Sequence, residues 1–413
     1  MLKRIGIEHL RLGMHIHELC GSWMEHPFWR TSFLLENVKD LKGIIGAGIS
    51  EVWIDTERGL DVAAGQAKDE SDLQVEDALV EVATRPAAPV ARVSLQDEIS
   101  KAVRICAKAK TAVSSMFREA RMGKALDAKD ALPLVEEISA SVMRNPGALI
   151  SLARLKTKDD YTYMHSVAVC ALMVALSRQL GLDAEQTRQA GLAGLLHDIG
   201  KMEIPDFILN KPGQLTDAEF TTVKSHPEAG HRMLLEGRGV DVVALDVCLH
   251  HHEKMDGTGY PHRLKGSEIS LFARMGAVCD VYDAITSDRP YKAGWSPSEA
   301  LRKMAEWAKG HFDETVFQSF VKSVGIYPVG TLVRLESGRL AVVVDQSEKS
   351  LLTPRVKVFF SSRARAYLPP EILDLSWGGC KDRIAAREDV AKWGFKNLEQ
   401  LWQTADGVGA CRT

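Results

Sequence analysis

The chain has 413 residues, of which 45% are hydrophobic and 26% are charged, a composition typical of a globular protein of about two or three domains. Its formal net charge is −3, so we expect no broad basic face and exclude duplex DNA as a ligand. A local group of cations could still bind a small anion.

The sequence carries no sign of export or membrane insertion. The first residues, MLKRIGIEHLRLG, lack the continuous apolar segment of a signal peptide. The longest apolar stretch, SVAVCALMVALS, has about a dozen residues and is too short to cross a bilayer. The seven cysteines form no C-x-x-C pair and their number is odd, which is typical of free thiols in a reducing compartment. We therefore predict a cytoplasmic protein with no membrane span.

The predicted elements change character along the chain and indicate a mainly α protein with small flanking units. A mixed α/β start is followed by a segment rich in Ala, Pro and acidic residues, then by helical periodicity, and finally by short apolar strands such as RVKVFF. The expected units are, in chain order, a small N-terminal α/β domain with a regulatory role (1–63), a linker (64–95), a helical connector (96–149), a central helical domain (150–325), a small β-rich unit (326–375) and a C-terminal tail (376–413).

Histidines are concentrated in the central domain, where eight of the thirteen lie between positions 165 and 262. His165 falls on the apolar helix YTYMHSVAVCALMVAL and should point into the protein. A single histidine in that position would be interpreted as a buried side chain satisfied by one hydrogen bond. Imidazole interleaved with carboxylate is, however, a donor set that suits Mn, Fe and Zn. The clustering therefore favours a metal site.

The stretch LLHDIGKMEIPD ends an apolar helix with three ionisable residues, His197, Asp198 and Lys201. A carboxylate has two oxygens, so Asp198 could bridge two metals about 3.5–4 Å apart. Lys201 projects on the same side as His197, and a lysine beside dications is tolerated where an anion such as phosphate lies between them. The alternative is a helix end with solvated polar groups, and the flanking apolar residues argue against it.

Three further segments carry the remaining candidates. His226 opens a helix before a proline, where a plain capping-region residue is the alternative. The segment LHHHEKMDGTGYP holds three successive histidines and a glycine-rich turn, and the apolar run before it indicates that the triplet ends a buried helix. In CDVYDAITSDRPYK, Asp280 and Asp283 share a helix face. Arg289 and Lys292 follow, either as phosphate ligands or as a solvated basic loop.

The motifs HDIGK, SHPEAG, HHEKMDGTGYP and CDVYDAITSDRPYK, in this order over residues 150–325, resemble the HD-GYP domain, a branch of the HD superfamily. Residues 1–63 resemble a small domain of unknown function (DUF3391-like) that is often found in front of it. The resemblance implies an all-helical domain with a multinuclear Fe(II) or Mn(II) centre. It also implies hydrolysis of cyclic di-GMP to linear pGpG and often on to GMP, with motility and biofilm formation as the usual cellular outputs.

The resemblance further implies roles for individual residues. The metal ligands would be His165, His197, Asp198, His226, His251, His252 and Asp280. The residues holding phosphate oxygens would be Lys201, Arg289 and Lys292. The namesake loop would be Gly259, Tyr260 and Pro261, which in the family is linked to shaping the site and to contacting GGDEF-type diguanylate cyclases. Asp283 is a candidate for binding or orienting the substrate, with helix capping or ion pairing as its simpler interpretation.

Two positions depart from the family pattern. Some members carry a glutamate four residues before the first histidine, associated with a third metal, and here that position is Tyr161. We therefore expect two divalent metals. His250 is an additional histidine before the usual pair, and we expect it to be a bystander while His251 and His252 act as ligands.

The residues and the resemblance agree on phosphodiester hydrolysis. Two metals would activate a water for in-line attack on phosphorus, with Asp198 and Lys201 as the catalytic residues. One alternative is a catalytically weak cyclic di-GMP receptor or cyclase-interaction module, which predicts missing ligands, whereas all seven positions are filled. A second alternative is an HD phosphohydrolase acting on another nucleotide, and the GYP and RPYK segments argue against it.

A separate hypothesis concerns the N-terminal region. His15 and His17 alternate along a predicted strand and would face one side, where they could form a small metal-sensing site. Ordinary strand residues are the simpler interpretation.

Overall fold

The protein is mainly α, with a small sheet at each end of the chain. The computed structural model describes residues 1–20, 32–46, 49–84, 93–156, 161–211, 213, 215–287, 294–347 and 349–403. No helix within these ranges is long and apolar enough to cross a membrane.

The N-terminal unit is a five-stranded sheet with one helix. Its elements are β1 (Leu2–Gly6), β2 (His15–Leu19), β3 (Phe33–Leu34), α1 (Val38–Gly46), β4 (Glu51–Asp55) and β5 (Gln66–Ala67). The strand order is β3-β2-β4-β1-β5, and β4 pairs antiparallel with both β1 and β2. Alternating apolar side chains such as Ile5, Ile16 and Ile54 form a core of its own on one face.

The expected linker at 64–95 is wrong over most of its length, because β5 and a helix, α2 (Lys68–Thr84), occupy it. The Ala- and acid-rich composition hides an apolar face in which Val75, Leu79 and Val82 are buried against the central helices. The polar face of α2 also contributes, because Asp72 pairs with Arg302. This segment therefore connects the N-terminal sheet to the centre of the molecule by packing.

The central region is a bundle of helices. Their bounds are α3 (Leu95–Arg121), α4 (Ala128–Arg144), α5 (Pro146–Arg154), α6 (Tyr161–Gln179), α7 (Ala184–Leu196), α8 (Asp206–Leu209), α9 (Asp217–Val223), α10 (His226–Leu235), α11 (Val242–His250), α12 (Leu271–Thr286), α13 (Pro297–His311) and α14 (Glu314–Val324). Helix α6 is buried on every side from Met164 to Ser177, as expected of a helix that is apolar all round. It packs against α7 and α12; His165 lies on α6, Asp280 and Asp283 lie on α12, and His197 directly follows α7.

The C-terminal unit is an antiparallel sheet that closes one side of the bundle. Its elements are β6 (Leu332–Leu335), β7 (Arg339–Asp345), β8 (Arg355–Ser361), β9 (Ala366–Asp374), β10 (Ile384–Arg387), α15 (Val390–Trp393) and α16 (Gln400–Gln403), in the sheet order β10-β6-β7-β8-β9. The tail expected from 376 onward is therefore partly structural, because β10 pairs with β6. Strand β9 contains two prolines, which an edge strand tolerates.

Candidate metal centre

Five helices bring the seven predicted ligands to one buried point. His165 lies on α6, His197 caps the C-terminal end of α7, and Asp198 follows it directly. His226 begins α10, the pair His251 and His252 follows α11, and Asp280 lies within α12. Six of these residues are at most 4% exposed, and the side chain of His252 is 8% exposed. So many polar groups buried together require mutual partners or a bound cation.

A glycine lets α10 approach the end of α7 closely. A Cβ atom on Gly200 would lie 2.0 Å from the backbone oxygen of His226 and 2.4 Å from the backbone nitrogen of Gly230. Only glycine fits such a backbone contact. The short 3₁₀ segment Ile199–Glu203 therefore packs directly on α10, which places His226 beside Asp198.

The two oxygens of Asp198 face two different groups of predicted ligands. Oδ2 lies 3.3 Å from Nε2 of His165 and 3.5 Å from Nε2 of His197. Oδ1 lies 3.3 Å from Nε2 of His226 and 3.8 Å from Nε2 of His251. The carboxylate of Asp280 completes the first group, with Oδ1 lying 2.9 Å from His165 Nε2. Asp198 thus stands between two sets of nitrogen and oxygen donors.

Backbone carbonyls fix the orientation of three of the imidazoles. The Nδ1 atom of His197 lies 2.8 Å from the oxygen of Gly194, and that of His226 lies 2.7 Å from the oxygen of Val223. Nδ1 of His251 is 3.0 Å from two carbonyls of α11. A proton on Nδ1 satisfies each of these contacts, so each Nε2 is left with a free lone pair that points to the centre.

The donor set fits divalent metals. Among the described residues, three groups of ligand atoms lie within 4.8 Å of one another: His165, His197 and Asp280; His226, His251 and His252; and His197, Asp198 and His251. Nε2 of His197, Oδ1 of Asp198 and Nε2 of His252 are buried with no hydrogen-bond partner. Orphaned buried acceptors in a ring of imidazoles and carboxylates are what a metal would satisfy.

The charges of the centre perturb each other strongly. Burial acts to lower the pKa of His165, but hydrogen bonds with Asp198 and Asp280 outweigh it and raise that pKa to about 10. Burial, with the neighbouring His197, lowers the pKa of His251 to about 3. Burial would raise the pKa of Asp198, but Lys201 and the nearby histidines hold it well below its usual range. Asp198 is therefore ionised and His251 is neutral at neutral pH, the states in which they can bind a cation, whereas His165 carries a proton that a cation would have to displace.

The structure describes two of the four predicted substrate-binding residues, Lys201 and Asp283. The ammonium of Lys201 contacts Oδ2 of Asp198, and its side chain is 17% exposed at the edge of the centre. Asp283 is buried, with Oδ2 lying 2.6 Å from Nδ1 of His165. The same oxygen receives the ammonium of Lys156, a buried residue that the sequence analysis missed. Arg289 and Lys292 lie outside the described residues.

The GYP segment packs directly on a predicted ligand, His252. The ring of Tyr260 stacks on that of His252, with centroids 4.7 Å apart, and the Tyr260–Pro261 peptide bond is cis. A Cβ on Gly259 would lie 2.5 Å from Cα of Glu253, so the chain needs glycine there. Glu253, which follows the histidine pair, is buried and accepts the backbone N–H groups of His262 and Leu264 at 2.7 and 3.0 Å. No role was predicted from the sequence for this anchoring carboxylate.

His15, His17 and His250 belong to none of the three ligand groups found among the described residues, and Tyr161 adds no carboxylate to them. Tyr161 stacks on His165, with centroids 5.9 Å apart, and offers no carboxylate. His250 belongs to none of the three ligand groups and contacts Asp246 and His262 instead. A β-bulge between Ile16 and Glu18 breaks the alternation of β2, and His15 and His17 join none of the ligand groups found in the described ranges.

Comparison with known proteins agrees with this geometry. Residues 142–316 match the HD domain family, and residues 2–131 match a domain of unknown function (DUF3391). The second match extends past the expected boundary at 63 and includes α2 and α3.

The chain is also similar to individual proteins. It is 59% identical to the cyclic di-GMP phosphodiesterase PA4108 of Pseudomonas aeruginosa, over 97% of this chain and 96% of that protein. It is 36% identical to the 3'3'-cGAMP-specific phosphodiesterase 1 of Vibrio cholerae, over 43% of this chain and 41% of that protein. A solved HD-GYP-type structure from Bdellovibrio bacteriovorus, Bd1817, aligns with 78% of this chain and 99% of that chain at 18% identity and a TM-score of 0.46.

The helical bundle and its buried histidine–aspartate centre are those of an HD-domain protein. The similarity to PA4108 over almost the whole chain identifies a narrower family within the HD-domain proteins. The chain belongs to the HD-GYP family, with a DUF3391 domain in front of its HD domain.

Proposed function

We propose that the protein is a metal-dependent phosphodiesterase that hydrolyses cyclic di-GMP to pGpG and then to GMP. The observation that carries the proposal is the position of Asp198, whose two oxygens face two separate groups of ligands. The similarity to PA4108 over almost the whole chain supports this substrate. Six described cysteines are free thiols, which supports a cytoplasmic location.

Two divalent metals would fit the centre, and we propose Fe(II) or Mn(II). One would be held by His165, His197 and Asp280 together with Asp198, and the other by Asp198 with the group His226, His251 and His252. Mixed imidazole and carboxylate donors suit these metals. Tyr161 supplies no carboxylate for a third. When bound, the pair would lower the pKa of a water towards neutrality and withdraw charge from the phosphodiester.

The chain's own residues would position the substrate around this centre. Asp198 would hold the two halves of the centre at a fixed separation. The ammonium of Lys201, which contacts Asp198 at the edge of the centre, would bind a non-bridging phosphoryl oxygen and stabilise the charge that develops there. Arg289 and Lys292 would bind the second phosphate, in keeping with the family motif. Asp283 would orient His165 and not contact the substrate, because its Oδ2 is already shared by His165 and Lys156.

We also propose the GYP segment as the contact for GGDEF-type diguanylate cyclases. Glu253 fixes the segment from inside, while His262 and Arg263 at its end are exposed. Such a contact would place the enzyme next to the source of its substrate.

The choice of substrate can be tested by comparing turnover of three nucleotides. Purified, metal-loaded protein would be given cyclic di-GMP, 3'3'-cGAMP and pGpG separately, and kcat/KM measured for each. We expect the highest value for cyclic di-GMP, with slower conversion of pGpG to GMP. A higher value for 3'3'-cGAMP would move the proposal to that class of cyclic dinucleotide, and tight binding without turnover of any of the three would move it to a receptor.

A further inference from the structure

A second group of histidines lies on the surface, outside the catalytic centre. Nε2 of His250, at the end of α11, lies 3.1 Å from Nδ1 of His262, which follows the GYP segment. The two rings are tilted by 58°, with centroids 5.3 Å apart. His262 is exposed and the side chain of His250 is 16% exposed, so solvent ions can reach the pair.

A carboxylate fixes each histidine, through the ring of His250 and through the backbone of His262. Oδ1 of Asp246 lies 2.7 Å from Nδ1 of His250, and Oδ2 of Asp246 accepts the hydroxyl of Ser270. A proton on Nδ1 of His250 leaves its Nε2 as a lone pair directed at His262. The backbone of His262 is anchored by the buried Glu253. A carboxylate behind a histidine is the usual arrangement around metal-bound imidazoles.

The spacing of the two nitrogens is that of neighbouring ligands on one ion. Two nitrogens bound at 2.0–2.1 Å to a tetrahedral Zn²⁺ lie about 3.3 Å apart. The observed 3.1 Å needs little adjustment to reach this value. A third imidazole, that of His231 on α10, is near enough that burial and then the charges of His250 and His262 lower its pKa.

We propose that His250 and His262, with Asp246 behind them, form a surface site for a borderline divalent transition metal, Zn²⁺ in the first instance. Imidazole nitrogen is a preferred donor for this class of ion, and the hard cations Mg²⁺ and Ca²⁺ prefer oxygen. A bound ion would join the end of α11, next to the catalytic ligands His251 and His252, to the end of the GYP segment. Occupancy of this site would therefore stiffen the connection between the two.

The test measures zinc and not hydrolysis, so its result is independent of the proposed activity. Full-length protein already loaded with Mn²⁺ would be dialysed against buffered Zn²⁺, and bound zinc measured by elemental analysis. Wild type would be compared with His262→Asn and with His9→Asn, a control at an exposed histidine that pairs with its neighbour Glu8. Thermal unfolding would verify that each variant is folded.

We expect His262→Asn to bind about one zinc fewer than wild type and His9→Asn to match wild type. Asp246→Asn should weaken this zinc by roughly tenfold to a hundredfold, as loss of a carboxylate behind a ligand does. Nitrogen hyperfine splitting from Cu²⁺ bound at this site should also be lost in His262→Asn. Equal zinc content in wild type and His262→Asn, or a difference only at millimolar zinc, would overturn the proposal and leave an ordinary imidazole–imidazole hydrogen bond.

Discussion

Oδ2 of Asp283 lies 2.6 Å from Nδ1 of His165, and the same oxygen receives the buried ammonium of Lys156. The carboxylate fixes the ring so that Nε2 of His165 faces Asp198 and Asp280. Lys156 in turn balances the charge of Asp283, which is buried and would otherwise add to the negative charge of the centre. Lys156, Asp283 and His165 thus form a hydrogen-bonded series that extends from the packed interior to a proposed ligand.

Substitution of Lys156 or Asp283 should weaken metal binding without removing a ligand. We expect Lys156→Met and Asp283→Asn each to lower the affinity for Mn²⁺ by roughly tenfold to a hundredfold. The measurement is a metal titration against a fluorescent chelator. Lys108→Met removes a lysine paired with Glu137 at the surface and serves as the control. Unchanged affinity in both folded interior variants would limit Lys156 and Asp283 to a packing role.

Metal binding should release a proton from His165. Its pKa of about 10 in the absence of metal means that the ring is protonated at pH 8, and a cation can bind only after displacing that proton. We expect at least about one proton released per chain at pH 8, and an affinity that increases with pH below the pKa. Calorimetry of Mn²⁺ binding in buffers of different ionisation enthalpy measures this number. No dependence on the buffer would contradict the assigned protonation of His165.

The GYP segment should not tolerate a side chain at Gly259. A Cβ there would lie 2.5 Å from the backbone of Glu253 and Lys254, so Gly259→Ala must displace the segment and the Tyr260 ring stacked on His252. We expect a loss of stability of about 1–3 kcal/mol and a lower kcat. Gly46→Ala is the matched control, because its Cβ would meet nothing within 4 Å. The free energy of unfolding in denaturant and the kcat are measured for both variants. Equal values for Gly259→Ala and Gly46→Ala would show that the segment relieves the close contact without losing stability or activity.

Lys201 should act on the substrate and not on the metals. Its ammonium repels dications, so we expect Lys201→Gln to keep or increase metal content while kcat/KM for cyclic di-GMP decreases by about 10- to 100-fold, the loss expected for one charged hydrogen bond. Elemental analysis and steady-state kinetics on the same preparation measure the two quantities. A variant that loses its metals would instead give Lys201 a structural role through Asp198.

The residues that gather at the candidate centre could be picked out from the sequence because each lies in a short motif whose neighbours also carry information. His197 and Asp198 end an apolar helix, and the histidine pair is followed by a glycine turn. Lys156 could not be predicted in this way. It lies among ordinary basic residues and meets Asp283 only through tertiary packing across 127 positions of the chain.

The fold likewise has parts that local sequence predicts and parts that depend on tertiary packing. The apolar run RVKVFF predicts a strand, and β8 is present at that place. Helix α2 was mistaken for a linker because its buried apolar residues are spaced along an acidic segment. These residues are identified as core residues only by their packing against the helices α13 and α14. Strand β10 was missed for a related reason, since its pairing partner β6 precedes it by about fifty residues.

The most direct test of the account is hydrolysis of cyclic di-GMP by anaerobically prepared protein loaded with Fe(II) or Mn(II), followed by chromatography. Asp198→Asn keeps the volume of the side chain and removes the charge that joins the two ligand groups. Asp206→Asn, at an exposed residue paired with Arg121, is the matched control. We predict pGpG and GMP from wild type and Asp206→Asn, and no product from folded Asp198→Asn. Equal turnover by Asp198→Asn, or no turnover by metal-loaded wild type, would contradict the assignment of Asp198 to a hydrolytic metal centre.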